Sequence, residues 1–199
     1  MVADQEDQKV EEWDHLLTAA AVMVDALAYY LIEGNVFRTV MARQEEGFER
    51  ITMSIGELLA LLHKLQAQRS RATPAQQSQL DAMRTTVQRT CHQLHDLFHD
   101  MVVREIMARL DSLNWFLHDC ENGKDACRLQ FPTEIQNRQR IEELVKVLDE
   151  SMVEDVTERV QRIDQRLRRI TYKSDFVWPT AVKEIYPEEP YWYLYSLPD

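Results

Sequence analysis

The sequence predicts an all-α protein: an antiparallel bundle of four long helices over residues 1–175, then an extended aromatic and proline-rich C-terminal tail over 176–199. Three observations carry that prediction. Four glycines and six prolines in 199 residues are too few for a fold built on tight turns. Glutamine, glutamate, arginine, leucine and alanine are plentiful, and these residues lose little on entering a helix. Apolar residues also recur at steps of three and four through four long segments, which places them on one helical face.

The first helix is expected from Asp4 to Glu33, with Val10, Trp13, Leu17, Ala20, Val24, Leu27 and Leu31 as its apolar stripe. Gly34-Asn35 supplies a stop, because both residues tolerate positive φ. The second helix is expected from Val36 to Arg69. Met41, Gln44, Phe48, Ile51, Ile55, Leu58, Leu62 and Leu65 form a heptad seam along it, with Gly47 and Gly56 inside. After the linker Ser70-Arg71-Ala72, Thr73-Pro74 opens the third helix with an N-cap and a proline in the first turn. That helix is expected to reach Cys120. The fourfold stepping of Val102, Ile106 and Leu110 is a stutter, and it marks a place for a bend. Glu121 to Pro132 reads as a long loop around Asn122-Gly123. Thr133 and Gln136 read as a capping box that starts the fourth helix. Ile141, Val145, Leu148, Met152, Val156, Val160, Ile163, Leu167 and Ile170 line it, and it is expected to stop near Ser174.

The formal charge of −11 is uneven. Residues 1–15 carry Asp4, Glu6, Asp7, Glu11, Glu12 and Asp14 against Lys9, and the tail is also acidic. Such a chain is poorly suited to neutralising phosphates, which argues against nucleic acid as a partner. The acidic N-terminus lacks the basic-then-apolar pattern of a secretory signal. The apolar stretch Leu16–Ile32 contains Asp25 and helical periodicity, so it reads as a core helix, not a membrane span. Cys91, Cys120 and Cys127 are an odd set and read as reduced thiols in an intracellular, cytoplasmic setting, although Cys120 and Cys127 flank a short loop and could pair.

Three features are candidates for function. Arg159, Arg162, Arg166, Arg169 and Lys173 form a basic stripe down the end of the fourth helix. The acidic start of the first helix and the helix C-terminal dipole would neutralise it, or it would dock an acidic partner. In the tail, Phe176, Trp178, Tyr186, Tyr191, Trp192, Tyr193 and Tyr195 concentrate aromatic area among prolines. Disordered segments are poor in aromatics, so the tail is expected to pack on its own bundle or on another chain.

The third feature is a set of histidines. His92, His95 and His99 share a face of the third helix, and His95 and His99 lie one turn apart. With His63 they resemble the three-histidine metal site of DinB-like four-helix bundles, although Asp100-Met101-Val102 follows in place of that family's polar residues. The resemblance implies a divalent metal such as zinc or nickel on His63, His95 and His99. Arg89 and His95 resemble the arginine–histidine pair of the all-α HEPN ribonucleases, with Thr90 where that family carries an amide or acid. That resemblance implies RNA cleavage at a dimer cleft. Neither covers more than a few residues. The leading expectation is a non-enzymatic, cofactor-free interaction protein: an adaptor or accessory subunit whose partner is another protein subunit or a second copy of itself.

Overall fold

The computed structural model describes residues 2–44, 47–123 and 126–198. The acidic side chains before Trp13, and Asp199, lie outside the described residues. The chain is mostly α-helical, with two small two-stranded antiparallel sheets. It divides into two compact units, Met1–Val102 and Val103–Asp199.

In the first unit, α1 spans Val2–Glu33. Trp13, Leu17, Ala20, Val24, Leu27 and Leu31 are all buried, as one face of a 3.6-residue period requires. Gly34 ends the helix at φ 75°, and its N–H reaches the Tyr30 carbonyl at 3.1 Å. By length and composition, Trp13–Glu33 is apolar enough to cross a membrane, and a little under half of that stretch is buried inside the protein.

The expected second helix is corrected at its start. Residues 38–53 form a hairpin, β1 (Arg38–Gln44) with β2 (Gly47–Met53), in the register Arg38↔Met53 to Gln44↔Gly47. Thr39, Val40, Ile51 and Thr52 are β-branched residues that favour a pleated strand. Val40, Ala42 and Met53 are buried on the inner face, while Met41 and Phe48 are exposed on the outer one. Gly47, at φ 141°, closes the turn side of the ladder. Only the second half of the expected helix exists, as α2 (Ile55–Ala67). It is capped by Ser54, whose hydroxyl accepts from the Glu57 N–H at 3.2 Å. Its Ile55, Leu58, Leu62 and Leu65 remain a buried seam.

Thr73 caps α3 (Pro74–Gln93) and Pro74 opens it, as expected, and Gln76 adds a capping box that the sequence reading did not include, with bonds of 3.3 and 2.8 Å. The third helix breaks, but not at the stutter. Leu94 (φ −115°, ψ 39°) separates α3 from α4 (His95–Glu121). Both α2 and α3 pack on α1.

In the second unit, a disulfide joins Cys120 to Cys127 (Cα–Cα 5.3 Å), in place of the expected reduced thiols. The expected loop to Pro132 is accordingly short. Helix α5 starts at Cys127 and runs to Val145, with Pro132 inside it and Thr133 in mid-helix rather than at a cap. A turn then leads to α6 (Glu150–Ile170). Helix α5 is buried on more than one face: Phe131, Ile135, Ile141 and Leu144 sit with Arg138, Gln139, Arg140 and Glu143 in the interior. The rest of the chain folds over it as β3 (Thr171–Lys173), 3-10 turns at Thr180–Ile185 and Trp192–Tyr195, and β4 (Ser196–Pro198), which pairs with β3. Both β4 and the second 3-10 turn contact α5.

Buried charge on α5 is stable only when it is paired. Arg138 donates to both Asp164 oxygens (2.7 and 3.0 Å) and to Glu142 (3.0 Å), and its guanidinium lies over the Tyr193 ring at 4.8 Å. Gln139 donates to Glu143 at 2.9 Å, and the Tyr191 hydroxyl donates to Glu143 at 3.1 Å. On α4, buried Glu105 accepts from Arg109 at 2.8 Å, and Arg109 also reaches Asn137 at 2.9 Å.

Candidate functional site: an arginine-lined groove

Each sequence-predicted feature has a distinct fate. The tail aromatics pack within their own unit. Phe176, Tyr186, Tyr191 and Tyr193 are buried, and Trp178, Trp192 and Tyr195 are half-buried. They meet in a chain of edge-on and tilted rings with centroids 5.0–6.4 Å apart. The Trp178 indole N–H donates to the Pro132 carbonyl at 2.8 Å, and the Tyr195 hydroxyl donates to the Tyr186 carbonyl at 2.8 Å. Burial raises the Tyr191 and Tyr193 phenols above their ordinary range, and the Glu143 charge adds to the effect at Tyr191.

The His95 and His99 rings come together with centroids 4.3 Å apart. His63, on α2, does not complete the set: among the described residues, no cluster of three potential metal ligands contains all three histidines. Arg89 is exposed on α3, and the break at Leu94 puts it on a different helix from His95.

The basic stripe lines a concave surface. Arg159, Arg162 and Arg166 of α6 face Met107, Leu110, Asp111 and Asn114 of α4 across a groove of about 300 Å³, with Ile163 on its floor. The amphipathic period of α6 explains the placement. Val156, Val160, Ile163 and Leu167 turn inward, and the arginines between them stand along the edge. Arg169 is exposed outside the groove, and Lys173 on β3 pairs with Glu188 at 2.7 Å.

The groove arginines are held by acids of their own unit. Arg159 pairs with Asp155 (3.4 Å) and touches the Met107 sulfur at 3.6 Å; Arg162 pairs with Glu158 at 3.0 Å. Arg166 makes two bonds to Glu121 (3.0 and 2.8 Å) and a third to Asn114. Those hydrogen bonds hold the Glu121 carboxyl below its usual range. The Asp155–Arg159 and Glu158–Arg162 spacings are legible in sequence as i,i+4 pairs. Glu121 and Asn114 are not, because only the packing of α6 on α4 brings them near. The same holds for Arg168, whose guanidinium lies 3.6 Å from the centroid of the Trp192 ring.

No family model, curated protein or solved structure matches the chain.

Chemically, the groove combines an apolar floor of Met107, Leu110 and Ile163 with a guanidinium rim. Among the described residues, its lining holds no thiol, hydroxyl or imidazole, and Asp111 is its one carboxylate. Guanidiniums beside apolar side chains can hold an anionic, partly apolar group.

Proposed function

We propose that this chain is a non-enzymatic interaction protein, an adaptor or accessory subunit of a larger assembly, whose antiparallel helices form a scaffold. An acidic, partly apolar segment of another protein subunit docks in the groove between α4 and α6. The observation that carries the reading is the groove lining itself. Three guanidiniums stand over an apolar floor, and the carboxylate partners of two of them, Arg159 and Arg162, are exposed i,i+4 acids of the same helix. Such pairs are worth only about 0.3–0.5 kcal/mol, so an incoming carboxylate displaces them at little cost.

The test is affinity capture of the intact chain from its native source, beside an Arg159→Glu/Arg162→Glu variant with unchanged helical circular dichroism. Loss of the co-purifying subunit from the variant supports the groove, and an unchanged set of captured proteins removes it.

A second reading, a divalent-metal protein, has the His95–His99 ring contact in its favour. Metal analysis of protein purified without a histidine tag decides it, with less than one equivalent of zinc or nickel counting against.

A further inference from the structure

The hairpin β1–β2 has an unusual property for an edge of a sheet. Among the described residues it is a sheet of two strands, so neither strand has a second strand at its outer edge, while α1 packs on β1. Among the described residues, no backbone hydrogen bond from elsewhere in the chain reaches β1. Natural proteins blunt such edges with lysine, proline, bulges or very short strands. The other small sheet follows that rule, being three residues long and ending in Pro198. β1 does not. It is seven residues long, its ladder to β2 is unbroken, and its middle stretch Thr39-Val40-Met41-Ala42 carries no charge and no proline.

Self-pairing of β1 is also chemically consistent. An antiparallel two-fold centred on Met41 sets Met41 against Met41 of the second copy. Thr39 then faces Arg43, Val40 faces Ala42, and Arg38 faces Gln44. No like charges oppose each other anywhere along the strand. The register also preserves side-chain parity, so the buried Val40–Ala42 face of one hairpin continues into that of the other. The outer face then brings the two exposed Met41 side chains, each 50% exposed in the single chain, together at the axis. The same operation about the middle of β2 sets Arg50 against itself, which is unfavourable.

We propose that the outer edge of β1 is a homodimerisation surface, on which a second copy of this chain pairs antiparallel about Met41 to make one four-stranded sheet in the order β2-β1-β1-β2. Main-chain hydrogen bonds supply the attraction, and the absence of opposed charge supplies the register.

Sedimentation equilibrium of the full chain tests this directly, beside Met41→Glu. That substitution suits the hairpin internally, because residue 41 pairs with Arg50. It brings two carboxylates face to face only in the dimer. The expected result is a wild-type dimer whose dissociation constant rises by about tenfold or more in the variant. Register is read separately by oxidation in a Cys91→Ser background. Met41→Cys should cross-link to itself. Thr39→Cys should cross-link to Arg43→Cys but not to itself. A wild type that stays monomeric into the high micromolar range overturns the proposal. So does a dimer that tolerates Met41→Glu and shows none of these cross-links.

Discussion

Tyr193 separates packing from hydrogen bonding at the centre of the second unit. Its side chain is fully buried, and its hydroxyl has no hydrogen-bond partner among the described residues. Its ring carries the Arg138 guanidinium at 4.8 Å. Tyr193→Phe keeps the ring and removes only the unsatisfied hydroxyl. Burying such a group without a partner costs about 1–3 kcal/mol on protein scales, so this variant should be neutral or up to about 1 kcal/mol more stable. Tyr193→Ala also removes the ring and leaves a cavity beside a buried cation, a change that should cost about 3–5 kcal/mol. In a unit of roughly one hundred residues, that lowers the melting temperature by on the order of 15 °C or more. Urea titration followed by tryptophan fluorescence in a Trp13→Phe background reads the right unit, because the other three tryptophans, Trp115, Trp178 and Trp192, all lie in it. The sign with pH is fixed as well. The folded-state phenol is raised well above its ordinary value by burial. Its contribution to stability is therefore complete below about pH 10 and is lost as pH rises further, when the unfolded chain ionises first. Tyr193→Phe should flatten that alkaline loss. A loss of more than about 1 kcal/mol in Tyr193→Phe would refute the reasoning, since it would mean that the hydroxyl is satisfied in the folded protein.

Three further outcomes follow from features described above. Thiol titration of the denatured, unreduced protein should find one free cysteine, Cys91, and three after reduction; replacing Cys120 and Cys127 by serine should cost about 2.5 kcal/mol from the freed seven-residue separation. Cys91 should react slowly in the native state, because burial pushes its thiol up to about 11, leaving roughly one thiolate in a thousand at pH 8. Its alkylation rate should climb about tenfold per pH unit up to that value, and native labelling at pH 8 as fast as a free thiol would count against the burial. Trp178→Phe, which loses the bond to the Pro132 carbonyl, should cost about 1 kcal/mol by urea denaturation, and no measurable change would indicate that the indole N–H exchanges that bond for water.

The helical class and the stripe of α1 were legible because 3.6-residue periodicity is a strong signal over thirty residues. The Thr73 cap was equally plain, since its residues act locally. The hairpin was missed because Met41, Phe48 and Ile51 happen to fall on heptad positions. The period-two burial of Val40 and Ala42 was masked by that coincidence. Gly47, placed inside the expected helix, was the turn signal next to β-branched runs. Thr133 misled for a different reason. A disulfide pulls the two helices together before it, and Pro132, which normally ends or starts a helix, is instead accommodated inside one while its carbonyl accepts from Trp178. Of the candidate site, the arginine stripe was visible as spacing. Its opposite wall on α4 depends on tertiary packing, and no local pattern encodes that.

The pairing of β3 with β4 makes the tail a closed strap. Thr171–Lys173 clasps Ser196–Pro198, and the ladder continues through Ser174 N–H to the Tyr195 carbonyl and Val177 N–H to the Leu194 carbonyl at 2.8 and 2.9 Å. Chain continuity in the middle of the strap is thus not what holds its far end. Lys183 lies there, exposed, in a 3-10 turn. A tryptic nick after it leaves the fragment beginning at Glu184 with its strand ladder intact and with Tyr186, Tyr191, Tyr193 and Leu194 still in the interior. The two pieces should travel as one species on a native column and part only in denaturant, so that a broken covalent thread goes unnoticed by the fold.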